Sequence, residues 1–374
     1  MIKINNPFLV SGYHGPQYFC DRAQETEQIV NALHNERNLT LIAPRRMGKT
    51  GLIKHVFHRL KHQQKDIITL YLDIYSTQNL NEFVQAFAST VLGSLDTTPQ
   101  RTINRITKFI KSCHPTFTFD ELTGQPKVTV DIASSKEEAT LKEIFEYIES
   151  SERRCYIAID EFQQITEYPE KGIEALLRSY IQFLPNAYFI FAGSKQHVMQ
   201  EMFLSAKRPF YQSTQTLVIS QIDKDIYYEF AASFFNQERH TLDKQTFSFI
   251  YDEFDGHTWY IQSILNRVFS YNTTPNIDLV NQSINEIVSE NEYNYQNLLA
   301  AYPSVSSRLI KAIAKEGIVP EVHAGSFISK YKLKAASSVN TALRSLINKE
   351  IVYKTDHGYI IYDRFFAIWL RWQL

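Results

Sequence analysis

The sequence predicts an α/β fold: a parallel sheet covered by helices, then an all-helical stretch, then a small module of helices and a hairpin. Three observations carry this. Through residues 1–220, short apolar, β-branched runs alternate with segments of helical period. From about Gln221 onward the apolar positions recur at helical spacing alone, as in "DIYYEFAASFFNQE", "DKQTFSFIYDEFDG" and "WYIQSILNRVFSY". The last segment, Ser304 to Leu374, reads as three helices followed by a two-stranded hairpin.

In chain order, "YFCDRAQETEQIVNAL" reads as a helix opening after Asp21. Asp21 serves as its cap, and Gln24 stands in capping-box position three residues on. Leu39 to Ile42 is a short buried strand, and Leu52, Ile53, Val56, Phe57 and Leu60 mark a helix from near Gly48. Asp66 to Thr77 is a second strand. "PTFTFDELTGQPKVTVDI", Pro115 to Ile132, alternates around a Leu-Thr-Gly-Gln-Pro turn as an inserted hairpin, decorative or an interaction arm. Tyr156 to Ile159, the run "AYFIFAGSKQ" and Thr216 to Ser220 complete a doubly wound parallel sheet.

Chemistry concentrates where these strands end. Between the first strand and its helix lies Ala43-Pro44-Arg45-Arg46-Met47-Gly48-Lys49-Thr50. It matches the phosphate-loop pattern G-x-x-x-x-G-K-[ST], with Gly51 following. A helix N-terminus offers unpaired N–H groups and the positive end of its dipole to an anion. Gly48 lets the backbone approach phosphates, Lys49 reaches the outer ones, and the Thr50 hydroxyl is a Mg²⁺ ligand. Ala43 departs from the pattern, so the turn into the loop is made without the usual glycine, Pro44 helping to fix it.

The strand at Tyr156–Ile159 ends in Asp160-Glu161, where ligands collect in open α/β sheets. Asp160 is the expected metal partner and Glu161 the group that polarises the attacking water. Gly193-Ser194 ends another strand, where Ser194 either senses the γ-phosphate or belongs to a plain turn. Phe19 is either a hydrophobic staple on the helix after it or a wall for the base of the nucleotide.

At 374 residues and 44% hydrophobic, the chain is expected to form two or three globular domains. No apolar run approaches the ~20 residues of a membrane span, and "MIKINNPFLVSGYHGP" lacks the apolar core of a signal peptide. Cys20, Cys113 and Cys155 are scattered, as expected in a reducing cytoplasm, and neither they nor the 11 His show metal-ligand spacing.

Three helices and a two-stranded wing define a winged helix. The segment from Ser304 carries 11 Lys and Arg against 5 Asp and Glu, whereas the remainder carries 28 against 35. A basic module on an acidic core suits a nucleic-acid reader. Its third helix would present Asn340, Thr341, Arg344 and Asn348 to a major groove, with Val339, Leu343, Leu346 and Ile347 inward. Lys330, Lys332, Lys334 and Lys354 would meet phosphates. Contact with a protein is the alternative.

With "NPF…GYHGPQYFCDR", "APRRMGKT", "IAIDEFQ", "FAGS", "RPFYQST" and the terminal "DRFFAIWLR", the chain resembles the prokaryotic, archaeal-type ATPase family nearly end to end. That family is a branch of the STAND and AAA+-like P-loop ATPases. The resemblance implies an ATPase core over residues 1–220, a helical lid over 221–303 and a winged helix over 304–374. It implies ATP and Mg²⁺ as cofactors, phosphate binding by Pro44 to Gly51, Mg²⁺ on Thr50 and Asp160, Glu161 as catalytic carboxylate and Ser194 as sensor. Two positions depart: Ser213 and Thr258 stand where many relatives carry Arg and Pro. Arg208 is either the nearest substitute for the missing arginine, serving a neighbouring subunit's ATP in a homo-oligomer, or a solvated loop residue. His257, at the lid turn, is either a nucleotide contact or a packed cap. The function expected is a cytoplasmic, ATP-hydrolysing molecular switch acting through its winged helix on duplex DNA or a protein. The alternative is an ATP-dependent regulator or scaffold with little turnover.

Overall fold

The computed structural model describes residues 4–64, 66–95, 110–119, 126–133, 135–333, 335–355 and 357–373. The chain divides into two compact units, Ser11–Tyr227 and Met1–Val10 with Tyr228–Leu374.

The first unit is built on five parallel strands: β1 (Leu39–Ile42), β2 (Ile67–Asp73), β5 (Arg154–Asp160), β6 (Ala187–Gly193) and β7 (Gln215–Val218). Their order is β2-β5-β6-β1-β7. Every residue of β1 and β6 is buried, as a parallel sheet covered on both faces requires. Successive residues serve opposite faces. Ile157, Ile159, Phe189 and Phe191 join one core with Phe83, Phe87, Ile144, Leu177 and Met202 from four helices. Leu39, Leu41, Ala158 and Ile190 join the other, with Ile29 and Leu33 from helix Ala23–His34 and Leu52, Val56 and Leu60 from helix Lys49–Gln63.

The inserted hairpin pairs β3 (Cys113–Phe119) with β4 (Pro126–Ile132) in antiparallel register, Cys113 opposite Ile132. Its turn, Leu122 to Gln125, lies outside the described residues. Val128 and Val130 are buried in the same core as Phe83 and Phe87, so this strand is a packed part of the unit.

The capping expectation at Asp21 is corrected. The helix starts at Ala23, and its cap position is Arg22, in the left-handed region at φ 61°. Asp21, also left-handed at φ 50°, accepts from Ala23 N–H at a long 3.4 Å. The chain turns one residue later than Ser/Thr/Asp/Asn capping preference suggests, because Arg22 is drawn inward by its side chain.

The second unit is mostly helical. Helices Lys244–Glu253 and Thr258–Ser270 flank Gly256, which is left-handed at φ 66°, and His257 occupies the cap position of the latter. Helices Ile277–Glu290 and Glu292–Ala300 follow. Residues from the chain's start belong here. Asn6 Nδ2 donates to the Asn266 carbonyl at 2.8 Å, Asn266 Nδ2 donates back to the Phe8 carbonyl at 2.7 Å, and buried Phe8 meets Phe234, Phe235 and Phe269.

The terminal module has the three helices Ser304–Glu316, Gly325–Lys330 and Ala336–Asn348, then β8 (Val352–Thr355) and β9 (Gly358–Ile361). Val339, Leu343 and Leu346 are buried, Ile347 is half-buried, and Thr341, Arg344 and Asn348 are exposed, while Asn340 is half-buried. Beyond the wing, Asp363 caps a further helix, Arg364–Trp372, by accepting from Phe366 N–H at 3.1 Å. No helix among the described residues is long and apolar enough to cross a membrane.

Candidate nucleotide site

Because the five strands are parallel, the segments leaving β1, β5 and β6 emerge on one edge. Register fixes the neighbours: Ile42 lies opposite Gly193, and Asp73 opposite Asp160.

The loop after β1 makes its bends at Arg46 (φ 68°) and Gly48 (φ 88°), while Ala43 is fully buried and is not left-handed. That explains how alanine replaces the first glycine of the pattern. Gly48 needs its residue type, since L side chains avoid that backbone region. A Cβ built there meets nothing within 4 Å, so the loop surrounds an open cradle. Leu52 N–H donates to the Gly48 carbonyl at 2.9 Å, closing the first helical turn. The turn's first N–H groups have no intrahelical acceptor. Lys49 is buried along the loop, its Nζ 3.5 Å from the Ala43 carbonyl. Below the loop, buried Arg22 donates to the Met47 carbonyl at 3.3 Å and pairs with Glu25 at 2.8 Å.

Thr50 Oγ1 donates to Asp160 Oδ2 at 2.6 Å, and Tyr71 Oη donates to the same oxygen at 2.8 Å. Asp160 Oδ1 accepts from Glu161 N–H at 3.0 Å. Burial, and then the Asp160 charge, push the Tyr71 phenol up, so it stays a donor. The hydroxyl and carboxylate oxygens lie side by side at the loop's mouth. Such hard donors suit Mg²⁺, which takes one or two protein oxygens and shares the rest with phosphates and water. The residues fit the ion.

Glu161 is left-handed at φ 55°. Its Oε2 accepts from Ser194 Oγ at 2.7 Å and from Gln163 Nε2 at 2.5 Å, and Ser194 Oγ accepts from Arg45 Nε at 3.3 Å. The Arg45 guanidinium lies over the Tyr75 ring, 5.4 Å from its centroid. Burial raises the Asp73 carboxyl above the usual carboxylate range. The Tyr75 N–H and Lys54 oppose that rise, and the Asp160 and Glu161 charges add to it.

Phe19 stacks on His55 of the phosphate-loop helix at 4.4 Å, and a Cβ on Gly51 would approach its ring to 3.3 Å. Tyr13 Oη and His55 Nδ1 are 3.0 Å apart. Burial, with the His58 and Arg59 charges, lowers the His55 pKa.

Of the residues expected from sequence, Arg45, Thr50, Asp160, Glu161 and Ser194 form one connected set. Arg208 lies elsewhere, paired with Glu174 and, at 3.5 Å, with Glu201. Ser213 closes a turn, donating to the Phe210 carbonyl at 2.6 Å. His257 makes an edge contact with Tyr260, ring centroids 6.1 Å apart. Sequence reasoning missed Arg22, Tyr71 and Gln163. Only Arg22, inside "YFCDR", and Gln163, inside "IAIDEFQ", fell within quoted motifs.

This parallel-sheet arrangement is a P-loop ATPase fold with a winged helix at the C-terminus. Residues 19–264 match the ATPase domain predominantly from Archaea, and residues 293–372 match a probable winged helix domain. The chain belongs to that archaeal-type ATPase family. It is similar to an uncharacterized ATP-binding protein of Methanocaldococcus jannaschii, 22% identical over 94% of this chain and 96% of that one. Its fold is similar to that of the Walker-type ATPase of Pyrococcus abyssi, with TM-score 0.67 and 17% identity over 98% and 99% of the two chains. The ORC2 protein of Aeropyrum pernix, solved as ADPNP-ADP complexes, follows at TM-score 0.61 and 14% identity over 98% and 96%.

The site's packing is tight behind Ser194. A Cβ on Gly193 would fall 2.3 Å from Gln163 Oε1 and 2.5 Å from Met199 Sδ, both buried. Gly193→Ala is therefore expected to lose about 1–3 kcal/mol of stability as the core repacks, measured by urea denaturation. Unchanged stability would mean that Gln163 and Met199 yield freely.

Proposed function

We propose that the protein binds Mg²⁺-ATP at the phosphate loop and hydrolyses it slowly, as a STAND- or AAA+-type switch that couples nucleotide state to the winged helix. Lys49 and the N–H groups of the loop and first helical turn hold the outer phosphates. Pro44, Arg45, Arg46, Met47, Gly48 and Gly51 complete the cradle. Thr50 and Asp160 hold Mg²⁺, which when bound offsets phosphate charge. Tyr71 keeps Asp160 oriented, and the Thr50 hydroxyl and the Asp160 carboxylate are the oxygens that would hold the ion. Glu161 orients the attacking water and takes its proton, and Ser194 positions Glu161. Phe19, at Gly51 and His55, is placed to meet the base of the nucleotide.

The observation that carries this reading is the pairing of Thr50 with Asp160 at 2.6 Å beside that of Ser194 with Glu161 at 2.7 Å. Metal donors and water-activating carboxylate thereby adjoin one phosphate cradle. A cytoplasmic location and a homo-oligomeric state belong to the same proposal.

Glu161→Gln is expected to bind ATP as the parent does and to lose turnover by 10²-fold or more, the usual scale for general-base removal. Lys49→Ala is expected to lose ATP binding itself. Calorimetry with Mg²⁺-ATP and a phosphate-release assay separate the two. Unimpaired turnover in Glu161→Gln would reduce Glu161 to a structural turn residue.

A second reading concerns the winged helix, whose basic balance favours duplex DNA. Exposed Thr341, Arg344 and Asn348 share one face of the third helix, and Lys332 is exposed in the turn before it. Lys330 is already paired with Glu316 at 2.6 Å, and Lys354 lies over Tyr359 at 5.8 Å, while Lys334 is outside the described residues. Support of the same kind comes from the Aeropyrum pernix ORC1 protein, solved in complex with DNA, whose fold is similar at TM-score 0.55 and 12% identity over 99% and 96% of the chains. The intact protein is expected to bind duplex DNA with affinity that falls steeply with salt, and Arg344→Ala should weaken it. Absence of binding at low salt would assign the module to a protein partner.

A further inference from the structure

Phosphoryl transfer spreads negative charge over the three equatorial oxygens of the γ-phosphoryl, and an arginine commonly meets it. Neither arginine position expected from sequence supplies one within this chain. Ser213 holds a turn, and Arg208 is held between Glu174 and Glu201. Arg45 stands differently. It belongs to the phosphate loop itself, its Nε donates to Ser194 Oγ at 3.3 Å, and its guanidinium rests over Tyr75. Ser194 in turn donates to Glu161 Oε2 at 2.7 Å, and Gln163 Nε2 reaches that same oxygen at 2.5 Å. A chain of hydrogen bonds thus joins a cation beside the phosphate cradle to the carboxylate that faces water. The two donors on Oε2 fix the orientation of the Glu161 carboxylate, whose second oxygen keeps its own lone pairs.

We propose that Arg45 is the catalytic cation for ATP hydrolysis, acting within its own subunit, and that the γ-phosphate is what draws it off Ser194. This rests on the nucleotide-site reading above. A guanidinium bonded to phosphate oxygens meets an ionised acceptor, often bidentately, whereas the Ser194 hydroxyl offers it a single uncharged acceptor. The γ-phosphate therefore competes with Ser194 Oγ for Arg45, while Ser194 keeps its own donation to Glu161 Oε2. ADP lacks the γ-phosphate and leaves the tether in place. In the chemical step, the water oxygen bonds to the γ-phosphorus as the bond from that phosphorus to the β–γ bridging oxygen breaks. The bridging oxygen leaves on ADP with the electron pair, the water's proton passes to Glu161, and Arg45 offsets the equatorial charge.

The test compares the parent with Arg45→Ala and Arg45→Lys, all checked for parental melting temperature. Affinities for Mg²⁺-AMP-PNP and Mg²⁺-ADP are read by displacement of a fluorescent ADP, and kcat and KM by phosphate release. Arg45→Ala is expected to lose AMP-PNP affinity by about 10-fold more than ADP affinity, and to lose kcat by ~10³-fold. Arg45→Lys, which keeps the charge without the planar fork, should recover part of both losses. If the parent binds both nucleotides and Arg45→Ala keeps the parental affinity ratio and kcat, the proposal is overturned. If Arg45→Ala fails to fold, Arg45→Gln takes its place: the same losses support the proposal, and parental affinities and kcat overturn it. A parent that binds neither nucleotide removes the site reading and this proposal together.

Discussion

The hydrogen bond from Thr50 to Asp160 ties together segments that are 110 residues apart in sequence. One partner sits on the first turn of the phosphate-loop helix, the other at the end of β5, and β6 lies between β5 and β1. Nothing local to either residue brings them together. Their meeting depends on parallel register, on both faces of β1, β5 and β6 being buried, and on Gly48 accepting a left-handed turn. If the sheet slipped by one residue, every strand side chain would change faces. Thr50 and Asp160 would part, and the two cores would expose their apolar residues.

Charge balance sets the second constraint. Asp73, Asp160 and Glu161 crowd one end of the sheet, and the raised Asp73 carboxyl records the cost of burying it among like charges. Lys54, on the neighbouring helix, opposes that charge at Asp73. A phosphate chain bound in the cradle would bring more negative charge there and, in our account, compete with Ser194 for Arg45. In our account this competition, with Arg45 as its mobile member, is what makes the site responsive to the γ-phosphate.

Much of this was legible in the sequence, and the reason is local. The phosphate loop, the strands at Leu39 and Tyr156, the helix after Gly48 and the helix-helix-helix-wing order at the C-terminus all announce themselves through short-range periodicity and turn residues. What escaped were side chains whose partners are distant in sequence. Tyr71 reads as one more strand aromatic until Asp160 is placed beside it. Arg22 reads as a helix-start residue, yet its side chain reaches the Met47 carbonyl and shifts the cap away from Asp21. Ala43 looked like a defect in the pattern, but the positive φ values fall on Arg46 and Gly48, leaving alanine unstrained. Asn6 and Phe8 carried no signal for their contacts with Asn266 and Phe269, because pairing across most of the chain leaves no spacing to read.

The most direct measurement is a single-turnover experiment in which protein is in excess over Mg²⁺-ATP, repeated over a wide range of protein concentration. A complete site with its cation in cis converts bound ATP to ADP and phosphate, slowly, at the same rate per site throughout the range. Bound ATP that stays intact, or a rate that climbs with protein concentration, would contradict it.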